Sequence, residues 1–188
     1  MKKVLCISLF IVLPLGMAAC SAGQKPFDFS DLEGLEFIFS SGAGAWQTAL
    51  NILPDGSFSG EFVDMNMGDS GPGYPEGTLL ECKFNGKFTA AVKVNDFIYT
   101  MKVEFIETEK PYGEEEIIDG VRVQASDPYG FDDADEFYIY LPGILLGELP
   151  GAFVDWVQMP MAWTDEDMPE TLPFYGLYNA GGEQGFFS

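Results

Sequence analysis

The chain has 188 residues, of which 30 are acidic and 9 basic, and its formal net charge is −21. Such a charge repels nucleic-acid phosphates and anionic lipid headgroups, so neither is a predicted partner. An apolar content of 47% with 15% aromatic residues excludes a disordered acidic chain. The absence of histidine excludes Ser-His-Asp and Cys-His catalysis and the usual zinc and copper sites.

The first residues predict secretion and a lipid anchor. Lys2 and Lys3 precede an apolar run over residues 4–15, which is typical of a secretory signal and too short for a transmembrane helix. The next residues, Leu15-Gly16-Met17-Ala18-Ala19-Cys20, resemble a bacterial lipobox. That resemblance implies cleavage before Cys20 and a diacylglycerol on its sulfur. We therefore predict a signal peptide over 1–19, a lipidated cysteine and tether over 20–34, and a location on the extracytoplasmic face of the cell membrane.

Strand patterns begin soon after the tether, in a predicted single domain over 35–188. Apolar and polar residues alternate over 46–52 and 58–65, and Pro54-Asp55-Gly56-Ser57 between them predicts a turn. The clearest alternation follows over 80–84, 88–94 and 97–105. Asn85-Gly86 predicts a hairpin turn between the first two of these strands. The pattern predicts an antiparallel meander with one face in water.

The second half of the chain predicts further strands and one short helix. Residues 117–125 predict a strand with Arg122 facing outward, and 137–141 and 174–179 predict two more. Leu149-Pro150 predicts the start of a helix near residues 150–158. Pro-Tyr-Gly occurs twice, at 111–113 and 128–130, and predicts a turn each time. About eight short strands predict an all-β fold, a β-barrel or a β-sandwich, and we favour the barrel because closure removes exposed edges.

Aromatic residues in the predicted strands share one inward face. If the barrel is wide, they line a pocket for a small or peptide ligand, with Trp46 and Tyr99 as its polar contacts; if it is narrow, they form the core. The residues with this parity are Trp46, Phe84, Phe88, Phe97, Tyr99 and Phe105.

Two acidic loops are candidate calcium sites. The first carries Asp64, Asn66 and Asp69, with oxygen side chains in a glycine-rich loop, although Pro75 replaces the glutamate that an EF-hand needs at position twelve. The second carries Asp132, Asp133 and Asp135. The alternative for both is a solvated connecting loop, and the sequence implies no other cofactor.

The remaining reactive groups give a weaker signal. Cys82 lies on the apolar side of its strand with Leu80 and Phe84, which predicts a buried structural thiol without a histidine to activate it. Paired carboxylates could catalyse glycoside hydrolysis, but nothing in the sequence singles out a pair.

Two resemblances to known families add to these predictions. The segments 39–46, 140–143 and 172–179 resemble an uncharacterised family of lipoproteins from Gram-positive bacteria, which implies a location and no activity. Gly44-Ala45-Trp46 resembles the Gly-x-Trp that opens the first strand of lipocalins. That resemblance implies a calycin-like barrel whose tryptophan packs under an arginine, and Arg122 is the only arginine in the chain.

Three functions follow in order of preference. The first is a lipid-anchored module that binds a small or peptide-like ligand. The second is a surface interaction or structural protein with a filled core, and the third is an enzyme that uses carboxylates alone.

Overall fold

The fold is all-β with one short helix. The computed structural model describes residues 25–164 and 166–188, so the predicted signal peptide and Cys20 lie outside the described residues. The strands in chain order are β1 Phe37–Ser40, β2 Trp46–Ile52, β3 Ser57–Asn66, β4 Gly77–Phe88, β5 Val92–Lys93, β6 Ile98–Thr108, β7 Glu115–Ile118, β8 Val121–Ala125, β9 Glu136–Tyr140, β10 Gly176–Asn179 and β11 Gln184–Phe187. Helix α1 is Gly151–Gln158, and 3-10 turns lie at Phe29–Leu32 and Leu146–Glu148.

Eight of these strands close into an antiparallel barrel. Their order is β6-β9-β10-β11-β1-β2-β3-β4, and β4 then pairs with β6. The prediction of an antiparallel barrel is therefore confirmed, and so is the helix near residues 150–158.

Strand β4 is long enough to have two partners along one edge. Its second half, from Phe84 on, pairs with β6, while its first half pairs in parallel with β8, which carries β7 as an outer hairpin strand. The prediction of one strand over 117–125 is wrong, because Asp119 and Gly120 both have positive φ and reverse the chain between β7 and β8.

Asn85-Gly86 is not a hairpin turn, in contrast to the sequence prediction. Both residues lie inside β4, where Gly86 pairs with Phe58 on one side and Ile106 on the other. A side chain at Gly86 would overlap the Phe58 ring and the β6 backbone. The glycine is therefore required by close packing of the barrel wall and not by a turn.

The prediction that Phe105 faces inward is wrong. The prediction that the strand over 88–94 keeps its inward pattern to its end is wrong as well. A bulge between Lys87 and Phe88 shifts the β4–β6 register, so Phe105 faces outward and is 46% exposed. Val92 and Val94 are exposed because β5 lies outside the barrel and pairs only with β6.

The barrel interior is filled by aromatic side chains. Phe58, Phe84, Phe137 and Phe186 surround Phe131, whose ring centroid lies between 5.1 and 6.0 Å from each of theirs. Phe131 comes from the β8–β9 loop, which enters the barrel as a plug. Of the aromatic residues predicted to face inward, Phe84, Phe88 and Tyr99 are buried in this core.

The start of the described chain packs onto the same core. Phe27, Phe29 and Leu32 are buried, and the Phe27 N–H donates a hydrogen bond to the Tyr99 hydroxyl at 3.1 Å. The predicted tether over 20–34 therefore includes, from Phe27 on, side chains that belong to the core.

Strand β11 and helix α1 complete the fold. Strand β11 is not among the strands predicted from the sequence, because its residues are buried on both faces and do not alternate. Phe153 and Val157 of α1 are buried, and the Phe153 ring lies over Gly176 and Gly185, where the helix approaches the sheet closely. Within the described residues no helix has the length and apolar character needed to cross a membrane.

Candidate functional site

An open cleft lies at the end of the barrel where β2 begins. We call it the end cleft, and its volume is about 370 Å³, within the range of roughly 300–1,000 Å³ that is typical of small-molecule sites. Its lining residues are Trp46, Phe62, Asp64, Leu80, Tyr112, Ser126, Asp127, Tyr129 and Asp132.

Four of the lining residues come from neighbouring barrel strands, and one of them is Phe62 on β3. Trp46 on β2 lies opposite Asp64 on β3, and Asp64 lies opposite Leu80 on β4. Each has the same parity as buried residues further along its strand, such as Thr48, Phe62 and Cys82. These side chains therefore face the barrel axis at its mouth, where the interior opens to solvent.

The two Pro-Tyr-Gly turns supply the aromatic residues from the loops. Tyr129 follows β8 and lies above the Phe131 plug, while Tyr112 lies between β6 and β7 and is 74% exposed. The Tyr129 ring packs against Trp46 and Phe62, with centroid distances of 4.9 and 5.6 Å. The repeated tripeptide was the sequence signal that could have found these residues, because both tyrosines reach the same cleft.

Hydrogen bonds from the barrel fix the Tyr129 loop. Buried Thr48 donates its hydroxyl to the Tyr129 carbonyl at 2.6 Å. The buried Asn179 amide donates to the carbonyls of Gly130 and Asp132 at 3.3 and 2.7 Å, and Gln184 donates to the Asp132 carboxylate. The loop side of the cleft is therefore held in place before any ligand arrives.

The cleft is acidic. Asp64 is half-buried, while Asp127 and Asp132 are exposed at the rim. Burial raises the pKa of the Tyr129 phenol, and the negative charge of Asp132 raises it further. Because Asp127 and Asp132 are exposed, they are not a desolvated carboxylate pair of the kind that acid–base hydrolysis requires.

The structure brings together only some of the residues singled out in the sequence. Trp46, Asp64 and Asp132 lie in the end cleft, whereas Tyr99 is buried and its hydroxyl accepts the Phe27 hydrogen bond. The filled interior therefore leaves Tyr99 as a core residue. Sequence reasoning did not select the other cleft residues with aromatic or acidic side chains, which are Phe62, Tyr112, Asp127 and Tyr129.

The side chains predicted as calcium ligands do not come together around one point. Asn66 accepts the Gly68 N–H at 3.0 Å, Asp69 pairs with Arg122, and Asp135 pairs with Lys102 at 3.0 Å. Asp133 is exposed and has a φ of 49°. In the part of the chain that the structure describes, no three acidic or cysteine side chains form a group that could hold a metal ion.

Cys82 and Arg122 lie outside the end cleft and have structural contacts. Burial raises the pKa of the Cys82 thiol to about 11, and the charges of Asp127 and Glu81 contribute. Arg122 lies over the Tyr74 ring, 4.5 Å from its centroid, while the Trp46 ring packs against Phe39 and Trp156 at 5.0 and 6.1 Å.

Comparison of the chain with protein families, with curated proteins and with solved structures finds no match.

Proposed function

We propose that this protein is a lipid-anchored module on the extracytoplasmic face of the cell membrane and that it binds a small ligand in its end cleft. The observation that carries the proposal is a preformed concave site at the mouth of a filled barrel. Four aromatic residues, Trp46, Phe62, Tyr112 and Tyr129, line it together with three carboxylates. Concave sites with aromatic walls and a few polar groups are typical of small-molecule binding.

The anchor part of the proposal depends on the sequence. The lipobox-like segment ending at Cys20 supplies a covalent attachment. Such an attachment suits this chain, because a net charge of −21 would repel it from an anionic membrane surface. Two acyl chains suffice for stable anchoring, since each buried methylene contributes about 0.8 kcal/mol.

The location of the cleft also explains how a filled barrel could bind a ligand. The Phe131 plug occupies the interior, so the ligand contacts the Tyr129 surface above it and remains accessible from solvent. The same filled interior favours the second candidate, a surface interaction module that needs no small ligand.

A thermal-shift screen of the full-length protein in non-ionic detergent, against sugars, peptides, lipids, amines and metal salts, tests the binding function. We expect at least one compound to raise the melting midpoint of the wild type, and the Tyr112→Ala variant to lose most of that shift. Tyr112 is 74% exposed, so the variant keeps the fold. Phe105→Ala, which removes an exposed aromatic residue outside the cleft, is the matched control. No stabilising compound, or equal shifts in all three proteins, would favour the interaction module instead.

A further inference from the structure

The end cleft carries carboxylates without a matching positive charge. Asp64, Asp127 and Asp132 line it, and no lysine or arginine does so among the described residues. A cleft lined by one sign of charge with apolar walls concentrates the field and attracts ligands of the opposite sign.

The lysines and the arginine of the described residues all form ion pairs away from the end cleft. Every lysine and arginine within residues 25–164 and 166–188 has a carboxylate partner within 4.0 Å, and none of these partners lies in the end cleft. The pairs are Lys25–Asp31, Lys83–Glu61, Lys87–Asp55, Lys93–Asp96, Lys102–Asp135, Lys110–Glu81, Lys110–Glu116 and Arg122–Asp69. Within this part of the chain, the carboxylates of the end cleft therefore have no lysine or arginine partner.

The molecule already holds one of its own cations with the same two kinds of group. The Arg122 guanidinium lies 4.5 Å from the Tyr74 ring centroid and also donates to the Asp69 carboxylate. An aromatic face and a carboxylate together bind an organic cation, because both the ring quadrupole and the negative charge of the carboxylate attract it. The end cleft offers the same combination with Trp46, Tyr112 and Tyr129 as rings.

We propose, resting on the ligand-binding function above, that the end cleft takes a small organic cation bearing an ammonium or guanidinium group. The aromatic walls favour an organic cation over a metal ion, which needs a shell of oxygen ligands. The carboxylates select against anions. They also distinguish an organic cation from a neutral apolar ligand, which would gain nothing from the three charges in the cleft.

Calorimetric titration of the full-length protein in non-ionic detergent tests this inference. The probes are choline, putrescine and agmatine, together with the uncharged isostere of choline in which a tert-butyl group replaces the trimethylammonium group. Maltose serves as a neutral polar probe. We expect at least one cation to bind at least about fivefold more tightly than both neutral probes, which is the range that cation–π and carboxylate contacts supply.

Charge-removing variants locate the effect. Asp64→Asn and Asp127→Asn should each weaken binding of that cation several-fold while leaving the melting midpoint within a few degrees of the wild type. Asp119→Asn is the matched control: Asp119 is exposed in the β7–β8 turn, does not line the cleft, and its positive φ suits asparagine. It should bind as the wild type does.

The outcomes separate this inference from the proposed function. Tighter binding of a neutral probe than of every cation, with loss in Tyr112→Ala, would overturn the cation assignment and keep the ligand-binding function. Binding by no probe would count against both. Cation binding that is equally weakened by Asp119→Asn would show a diffuse charge effect and overturn the assignment to the cleft.

Discussion

At the scale of single residues, two glycines in the same local sequence have different roles. Gly113 and Gly130 end the two Pro-Tyr-Gly turns, with φ of 80° and 101°. A Cβ on Gly113 would have no neighbour within 4 Å, whereas one on Gly130 would lie 2.5 Å from the Phe186 ring and 3.0 Å from the Phe39 ring. Gly130 therefore lets the Tyr129 turn lie directly on the core.

We expect Gly130→Ala to destabilise the protein more than Gly113→Ala. Both variants incur the backbone cost of a left-handed residue, about 1–2 kcal/mol, and only Gly130→Ala adds an overpacking cost of about 1–3 kcal/mol. Urea unfolding of the two variants measures the difference. Equal losses would show that the turn at Gly130 does not press on the aromatic core.

The raised pKa of the Cys82 thiol predicts that the free energy of unfolding falls at alkaline pH. Its pKa is raised to about 11 in the folded protein, above that of an ordinary thiol near 8.5–9. Below the pKa of an ordinary thiol, Cys82 is neutral in both the folded and the unfolded state, so it does not change the free energy of unfolding. As the pH rises toward 11, the unfolded thiol ionises and the folded one does not, so stability falls.

Cys82→Ala should reduce this alkaline loss. Between about pH 8 and about pH 10.5 the wild type should lose roughly 2 kcal/mol more of its unfolding free energy than the variant does. Tyr129 and Tyr178 also have raised pKa values, but they titrate in both proteins and their effects cancel. Parallel pH dependences for wild type and variant would contradict this account of Cys82.

At the scale of elements, the loop between β8 and β9 is held by a buried amide. Asn179→Ala leaves the Gly130 and Asp132 carbonyls without the donor that they have in the wild type. We expect a loss of about 1–3 kcal/mol and weaker binding in the end cleft, since the Tyr129 side of the cleft loses its support. Asn51→Ala is the control, because exposed Asn51 donates one comparable bond to the Leu35 carbonyl at 3.1 Å. Similar losses of stability in both variants would show that burial of the Asn179 bonds contributes little.

The strands also show which parts of the fold the sequence patterns could predict. The content of β-forming residues predicted β9. Alternation predicted β2, β3 and the middle of β6, because each has one face on the core and one in water. It failed for β11, which helix α1 covers on its outer face. It also failed beyond the bulge at Lys87 and Phe88, because a register shift depends on the partner strand and not on the local sequence.

The candidate site was harder to predict than the strands. The sequence patterns of Trp46 and Asp64 indicate unrelated roles, a ligand contact and a calcium ligand, and only the β2–β3 register makes the two residues neighbours. Tyr112 and Tyr129 lie in turns whose positions depend on contacts with distant strands, such as the bond from Thr48. Tertiary contacts of this kind leave little trace in local patterns.

At the scale of the whole molecule, the anchor is the prediction that links the domain to a membrane. Cys20→Ser should abolish incorporation of labelled palmitate and leave an uncleaved precursor, because the modified sulfur is lost. Cys6→Ser, which changes the other cysteine of the first 20 residues, should keep the label. Labelling that persists in Cys20→Ser would contradict the lipid anchor.

The central claim is that ligands bind at the mouth of the barrel, and the tryptophan indole signals in a nitrogen–proton correlation spectrum test it most directly. Trp46 lines the end cleft, and Trp163 lies near the far end of α1, beside Phe174. With choline, putrescine and agmatine added in turn, we expect at least one compound to shift the Trp46 indole signal and leave the Trp163 signal in place. Shifts at Trp163 alone, or none at Trp46 with any of the three, would contradict the account.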